Sequence, residues 1–295
     1  MNTFLWLIKR EFWENRAIWV VPAIIGGLLL LAALFGKIDF INMAVPMTTP
    51  EQSRVVGGAF LSGFGVAFYV VMSIYSTWYL LECLYADRKD RSVLFWKSLP
   101  ISDTATVLSK LAVALILIPL VYFLAADIAT LLIAFIVSVR ASSAIGGALW
   151  HMDLWFQLQV LWLYGIITTA VWYLPVAGWL LVISAWAKRA VMLWSILPPL
   201  ALYLAEHWFF GTNVVGSQLA DRLFGYGPQA FNANPDGGGW ATTVFGSDKV
   251  TSPSSVWVLL SPGQFLSSPQ TWIGVAVGIA LIVGAIQLRL RRTEI

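Results

Sequence analysis

Six long apolar blocks constrain the fold of this chain more than any other feature of its sequence. A helix needs about 20 apolar residues to cross the hydrocarbon core of a bilayer, and the blocks approach or exceed that length. Lipid offers the backbone no hydrogen bonds, and the blocks lack the alternation of barrel strands, so each block predicts a helix. The predicted spans are Ile18–Phe35, Ala59–Leu81, Ala105–Ala126, Val160–Ala185, Val191–Phe209 and Thr271–Leu288.

The composition of the chain excludes an ordinary soluble protein. Of its 295 residues, 59% are hydrophobic and 11% are charged, whereas soluble domains carry about 25% charged residues. The net charge of +3 is spread over short clusters beside the apolar blocks, and a nucleic-acid partner would need a basic face. We therefore expect a single all-α transmembrane domain over residues 1–295, with lipid as a partner and no nucleic acid.

Basic residues orient the predicted spans. With the N-terminus inside, 13 of the 18 Lys and Arg residues fall in inner segments and 5 in outer segments, which is the bias of cytoplasmic loops. The apolar run that begins at Ala17 has the length of a span and no cleavage site, so it predicts a retained helix and not a signal peptide. Both termini are expected in the cytoplasm.

Two segments outside the spans have patterns of their own. In residues 1–17, Phe4, Leu5, Ile8 and Phe12 share one helical stripe, which predicts an amphipathic helix in the inner interface. Residues 210–270 form a long outer segment. It includes an apolar run too short to cross the membrane, so this segment predicts a re-entrant or interfacial piece before the last span.

The third predicted span contains a candidate intramembrane polar site. Asp127 is the only charged residue between Leu111 and Val139, a stretch about 43 Å long as a helix. Either the helix tilts and projects outside, or the span starts later and Asp127 lies within lipid, while Pro119 predicts a kink. An acid inside a span is a functional hypothesis, and an interfacial or structural role is the alternative.

The inner loop at residues 84–102 carries most of the functional argument. Its first part mixes acidic and basic residues. Leu94, Trp96 and Leu99 then supply an apolar surface for a short helix that Pro100 ends. Such a helix suits docking into a groove on a soluble partner, and an anchor on lipid headgroups is the alternative.

This loop resembles that of the permease subunits of type-2 ABC exporters. That family commonly has an N-terminal elbow helix, six spans, a cytoplasmic coupling helix after span two and re-entrant pieces before the last span. The chain departs from the pattern at Ser92, where Gly is common, and at Phe95-Trp96, which replace aliphatic residues. The residues that match are Glu82, Asp87, Arg88, Arg91, Leu94, Leu99-Pro100-Ile101-Ser102 and Lys110.

The resemblance implies that ATP hydrolysis and transport belong to different chains. The sequence contains no Gly-x-x-x-x-Gly-Lys-Ser/Thr motif, so ATP and Mg are expected in a separate ATPase subunit, present in two copies. A second permease chain, identical or a sister, is expected beside this one in a bacterial inner membrane, exporting an apolar or amphipathic substrate. The implied elbow residues are Phe4, Ile8 and Phe12, and the implied coupling residues are Glu82, Asp87, Arg88, Arg91, Leu94, Trp96, Leu99 and Pro100.

Two other classes of protein remain as alternatives. A membrane-embedded or outer-surface enzyme would draw on His151 with Asp153 or Glu206 with His207. No His-Glu-x-x-His or Gly-x-Ser-x-Gly motif is present, so we expect no catalytic residues and no metal site. An ATP-independent channel or secondary transporter is the other class, although the sequence shows no clear internal repeat.

Overall fold

A computed structural model describes residues 3–36, 50–89, 101–140, 147, 149–232 and 256–291. Within these ranges every named element is helical, and the only β contact is an isolated bridge between Phe231 and Leu260. The α-helices are α1 (Thr3–Glu14), α2 (Ala17–Phe35), α3 (Pro50–Lys89), α4 (Asp103–Ala112), α5 (Ile118–Arg140), α6 (Met152–Trp172), α7 (Leu174–Trp186), α8 (Val191–Phe210), α9 (Val214–Phe224), α10 (Tyr226–Ala230), α11 (Pro262–Ser267) and α12 (Pro269–Arg291).

Five described helical segments are long and apolar enough to cross a membrane. The chain is therefore an all-helical protein of transmembrane character. The fifth predicted span, Val191–Phe209, corresponds to α8, which contains Pro198 and Pro199 and is not among the five, so the six-span count stays a prediction. The five segments are Ala17–Phe35, Phe60–Lys89, Asp103–Arg140, Met152–Trp172 and Pro269–Arg291.

The fourth predicted span, Val160–Ala185, is divided between two helices. Helix α6 ends at Trp172 and α7 begins at Leu174, with Tyr173 outside helical geometry between them. Pro175 explains the break, because proline has no backbone N–H and its ring clashes with the carbonyl of the preceding turn. The apolar pattern predicted one continuous helix from Val160, whereas α6 begins earlier, at Met152, and a second helix follows the break.

The third predicted span is part of a longer continuous helical segment, α4 to α5. A π-helical turn at Val113–Leu117 joins the two helices immediately before Pro119. In that turn the N–H of Ile118 bonds to the Val113 carbonyl, and the Ala114 carbonyl accepts a hydrogen bond from Ser76 Oγ at 3.2 Å. Such turns often occur at functional sites. This turn lies between Lys110 in α4 and Asp127 in α5, two residues that are discussed with the candidate site.

Helices α7 and α12 are in close backbone contact at two glycines. The Cβ of an alanine at Gly178 would lie 2.9 Å from the carbonyl oxygen of Gly278, and one at Gly278 would lie 2.9 Å from the backbone of Leu174. Val182 faces Gly284 further along, so the two helices run parallel. Small residues allow this backbone contact in the same way as at other transmembrane helix interfaces.

Replacing Gly178 by Ala should therefore destabilise the bundle. The new methyl group meets backbone atoms that cannot move independently, and overpacking of this kind costs about 1–3 kcal/mol. The matched control is Gly63→Ala in α3, where a new Cβ meets nothing within 4 Å. Thermal unfolding in detergent should show a lower midpoint for G178A only. Equal midpoints for the two variants would refute this account of the α7–α12 contact.

The described parts of the predicted outer segment, residues 210–270, pack against α6. Tyr164 donates a hydrogen bond to the Ala230 carbonyl at 2.8 Å, and Tyr226 donates one to the Gly165 carbonyl at 2.8 Å. The predicted apolar run forms a short 3-10 turn at Val256–Leu259. The described parts of residues 210–270 are thus short helices seated on a predicted span, and their depth relative to a membrane stays a prediction.

Candidate functional site

Helix α1 packs against the bundle with a face that includes an acid. Phe4, Ile8 and Phe12 are partly buried, and Glu11 is buried beside them. Leu5, on the same predicted stripe, is 60% exposed, and the assignment of α1 as an interfacial elbow helix stays a prediction. The face turns towards Glu11 because this carboxylate finds its partners inside the bundle.

Glu11 belongs to a group of six charged residues that we call the ion cluster: Arg10, Glu11, Asp87, Asp103, Lys110 and Arg289. Lys110 Nζ lies 2.9 Å from a Glu11 oxygen and 3.3 Å from an Asp87 oxygen. Arg289 lies 3.2 Å from Asp87 and 2.8 Å from Asp103. Arg10 completes the chain of ion pairs at 2.7 Å from Glu11.

The centre of the ion cluster is buried. Its three acids face its three bases, and the side chains of Glu11 and Lys110 are only 2% and 3% exposed. At the edge of the cluster, Arg10 also lies 3.3 Å from the exposed Glu14. Tyr79 also donates a hydrogen bond to Glu11 at 2.8 Å. A buried ion pair is tolerated when further hydrogen bonds satisfy its remaining atoms, as they do here, and removal of one partner is costly.

Electrostatics fixes the charge state of Glu11. Burial alone would raise the pKa of its carboxyl group. The positive charge of Lys110 and hydrogen bonds from Lys110, Tyr79 and Arg10 act in the opposite direction and hold the pKa of Glu11 below its ordinary value. The ionised carboxylate therefore stabilises the fold above its unfolded-state pKa, and this contribution is lost as the pH falls through the lower folded-state value.

The ion cluster ties together four separate elements at one end of the bundle. Its residues come from α1, the last turns of α3, from α4 and from the last turn of α12. Arg88 adds a fifth element, because its guanidinium donates hydrogen bonds to the carbonyls of Ser184 and Ala187 at the end of α7. The described N-terminal helix and the end of the last helix thus meet on the same side of the protein.

The predicted coupling residues divide between described and undescribed parts of the chain. Asp87 lies in the ion cluster and Arg88 holds α7, while Glu82 is exposed on α3. The remaining predicted coupling residues lie outside the described residues, namely Arg91, Leu94, Trp96, Leu99 and Pro100. The helix before this segment, α3, and the helix after it, α4, both contribute residues to the ion cluster. The ion cluster therefore holds the two flanking helices together.

Asp127 lies in the interior of the α4–α5 segment. Along the helix it is about 25 Å from Lys110 and about 20 Å from Arg140, so both ends of the segment are remote. Gln159 of α6 donates a hydrogen bond to Asp127 Oδ1 at 2.7 Å. Arg140, at the far end, donates to the carbonyls of Ala33 and Gly36 in α2.

The histidine and acidic residues named for the enzyme alternative make contacts of the kind that stabilise a fold. Glu206 accepts hydrogen bonds from Thr212 Oγ1 at 2.7 Å and from the backbone N–H of Val215 at 2.6 Å, which satisfies the first turn of α9. His207 stacks on the ring of Tyr203, and His151 directly precedes α6, whose first turn contains Asp153. Across the described ranges, no group of three or more His, Cys, Asp or Glu side chains is placed to hold a metal ion.

Sequence reasoning missed most of the ion cluster. It treated Lys110 only as the start of a span and gave no role to Asp103 or Arg289. One signal was available in α1, since Glu11 follows Leu7 by four residues and Ile8 by three, which places an acid within the apolar face of the helix. An acid on such a face requires a buried cation, and Lys110 is the cation that the structure supplies.

In comparisons with known proteins, the chain matches no family model, no curated protein and no solved structure. The geometry itself defines the class of protein: a helical, multi-pass membrane protein with a buried ion cluster at one end of its bundle. The resemblance to ABC permeases therefore rests on the sequence pattern alone and stays a prediction.

Proposed function

We propose that this chain is the permease subunit of an ATP-driven exporter of the type-2 ABC class. ATP would be hydrolysed with Mg by a separate ATPase subunit, present in two copies, and a second permease chain would complete the transporter. The chain itself would be no enzyme. It would lie in a bacterial inner membrane with both termini in the cytoplasm, and would export an apolar or amphipathic substrate.

The ion cluster is the observation that carries this proposal. A coupling loop can move a bundle only if the helices on both sides of the loop are connected to the other spans. Asp87 and Lys110 stand on the two sides of the loop and contact each other at 3.3 Å. Glu11 and Arg289 extend the contact to the amphipathic helix and to the last helix, so a force on the loop would reach four elements together.

The positions of the helix ends also support the proposed topology. Helix α1 and the end of α12 meet in the ion cluster, and the bias of basic residues places that end inside. The cluster would then face the ATPase subunit, with α1 as the elbow helix and residues 84–102 as the coupling loop. The outer segment, residues 210–270, would lie on the opposite side.

Co-purification tests the proposal. The tagged chain is extracted from its native cells in a mild detergent, and the proteins bound to it are identified by mass. We expect a stoichiometric soluble subunit with a phosphate-binding loop, and ATP hydrolysis in the purified complex. A chain that purifies intact but without any such subunit would contradict the proposal and favour an ATP-independent transporter, for which the interior position of Asp127 is the supporting observation.

A further inference from the structure

A cavity lies between α3, α5 and α6, remote from the ion cluster. It is lined by residues 61–72 of α3, 119–130 of α5 and 155–166 of α6, has a volume of about 40 Å³ and is partly open to the outside. A single buried water needs about 10–15 Å³, so the cavity has room for one small polar group. Six of the lining residues are aromatic: Phe68, Tyr69, Tyr122, Phe123, Trp155 and Trp162.

Three buried polar atoms around this cavity lack hydrogen-bond partners. Among the described residues, no Lys, Arg or His forms an ion pair with Asp127, whose hydrogen bond comes from Gln159. Tyr122 Oη, Trp155 Nε1 and Gln159 Oε1 are buried without a hydrogen-bond partner, and the Tyr122 side chain is only 1% exposed. Buried polar groups in proteins are nearly always paired, so the concentration of these atoms around one cavity indicates a polar occupant.

The shape of the cavity depends on one close contact. A Cβ at Gly65 would lie 2.5 Å from the Trp162 ring, so the indole lies directly on the backbone of α3. Tyr69 is next to it, with ring centroids 6.2 Å apart. Because Gly65 has no side chain, the rings of Trp162 and Tyr69 can lie side by side against α3 and form one wall of the cavity.

We infer that this cavity binds the positively charged head of an amphipathic amine. The Asp127 carboxylate supplies the opposite charge, while Gln159 Oε1 and Tyr122 Oη accept hydrogen bonds from N–H groups. Aromatic rings attract organic cations through their negative faces, and the hydrocarbon part of the amine would extend out of the cavity through its open mouth. A hard metal cation would require several oxygen ligands, which an aromatic wall does not provide, and an anion would be repelled by Asp127.

The role of this cavity as the binding site for the exported substrate rests on the proposed permease function. The binding of an amphipathic amine in this cavity does not rest on that function, because binding requires neither ATP nor a partner chain. The class of substrate proposed above, apolar or amphipathic, is thereby narrowed to amphipathic cations.

The test is binding of dansylcadaverine, a primary ammonium joined to an apolar fluorophore, to the purified full chain in phosphatidylcholine nanodiscs. The comparison ligand is N-pentyl dansylamide, in which a hydrogen replaces the amine. We expect saturable fluorescence enhancement above empty nanodiscs with the cation, and at least about tenfold weaker binding of the neutral compound, since a tenfold change corresponds to about 1.4 kcal/mol. Equal affinities for the two compounds, or no saturable binding of the cation, would overturn the inference.

Variants locate the site. Asp127→Asn keeps the size of the side chain and an oxygen for Gln159, and should reduce cation affinity to that of the neutral compound. The matched control is Asp153→Asn, which removes the same charge from an exposed position on α6 and should leave affinity unchanged. Gel filtration and the unfolding midpoint check that both variants are folded. Wild-type affinity in folded D127N would overturn the assignment, whereas cation binding without a co-purifying ATPase would remove the permease proposal and keep the site.

Discussion

Lys110→Met is expected to lower the free energy of unfolding by about 3 kcal/mol or more. The side chain of Lys110 is 3% exposed and pairs with both Glu11 and Asp87. Removing the ammonium leaves two buried carboxylates with less positive charge near them, and breaking a buried ion pair from one side typically costs about 3–5 kcal/mol. The measurement is the thermal unfolding midpoint of the purified chain in detergent.

The control for this variant is Lys9→Met, the same chemical change two residues from Glu11 on α1. Lys9 is exposed on α1 and lies over the ring of Trp6, so its loss should change stability by no more than about 0.5 kcal/mol. Adding Glu11→Gln to the Lys110 variant should restore part of the lost stability, because residues in direct contact are coupled. Equal midpoints for K110M and K9M would show that the ion cluster does not stabilise the bundle.

Replacing Leu94, Trp96 and Leu99 together by Asp is expected to abolish association with the ATPase subunit while leaving membrane insertion intact. Three carboxylates would occupy the apolar surface that the coupling helix is proposed to bury in a groove of its partner, and burying unpaired charge is prohibitive. The measurement is the amount of ATPase subunit that co-purifies with the tagged variant, relative to the wild type.

A matched control changes the same residue types on the opposite side of the protein. Leu223, Trp257 and Leu266 are exposed in the outer segment, and the triple variant L223D/W257D/L266D introduces the same three charges there. It should retain the ATPase subunit. If the loop variant also retained it, or if both variants lost it equally, residues 84–102 would not be the coupling loop.

The helices themselves could largely be predicted from the sequence, because their signals are local. The apolar run after Ala17 has the length of a span, and Ser102 begins α4 as a side-chain cap that accepts from the Ala105 N–H. Two irregularities occur at prolines, because each ring removes a backbone donor. Pro175 divides the fourth predicted span, which the apolar pattern predicted as continuous. A π-helical turn precedes Pro119, where the sequence predicted a kink.

The ion cluster could not be predicted in the same way, because its partners are far apart in the chain. Lys110 is 99 residues from Glu11, and Arg289 is 202 residues from Asp87. The pairing depends on how the bundle packs, and each residue alone resembles an ordinary charge at the end of a span. The cavity is a similar case, since Asp127 stood out in the sequence whereas its partner Gln159 on α6 did not.

Photo-cross-linking from position 96 tests the central claim most directly. Benzoylphenylalanine replaces Trp96 in the proposed coupling helix, or the exposed Trp257 in the outer segment as a control, and intact native membranes are irradiated before extraction. We expect a cross-link from position 96 to a soluble subunit with a phosphate-binding loop, and none to that subunit from position 257. A folded, inserted chain that gives no such cross-link from position 96, or gives it equally from position 257, would contradict the coupling of this bundle to an ATPase through its inner loop.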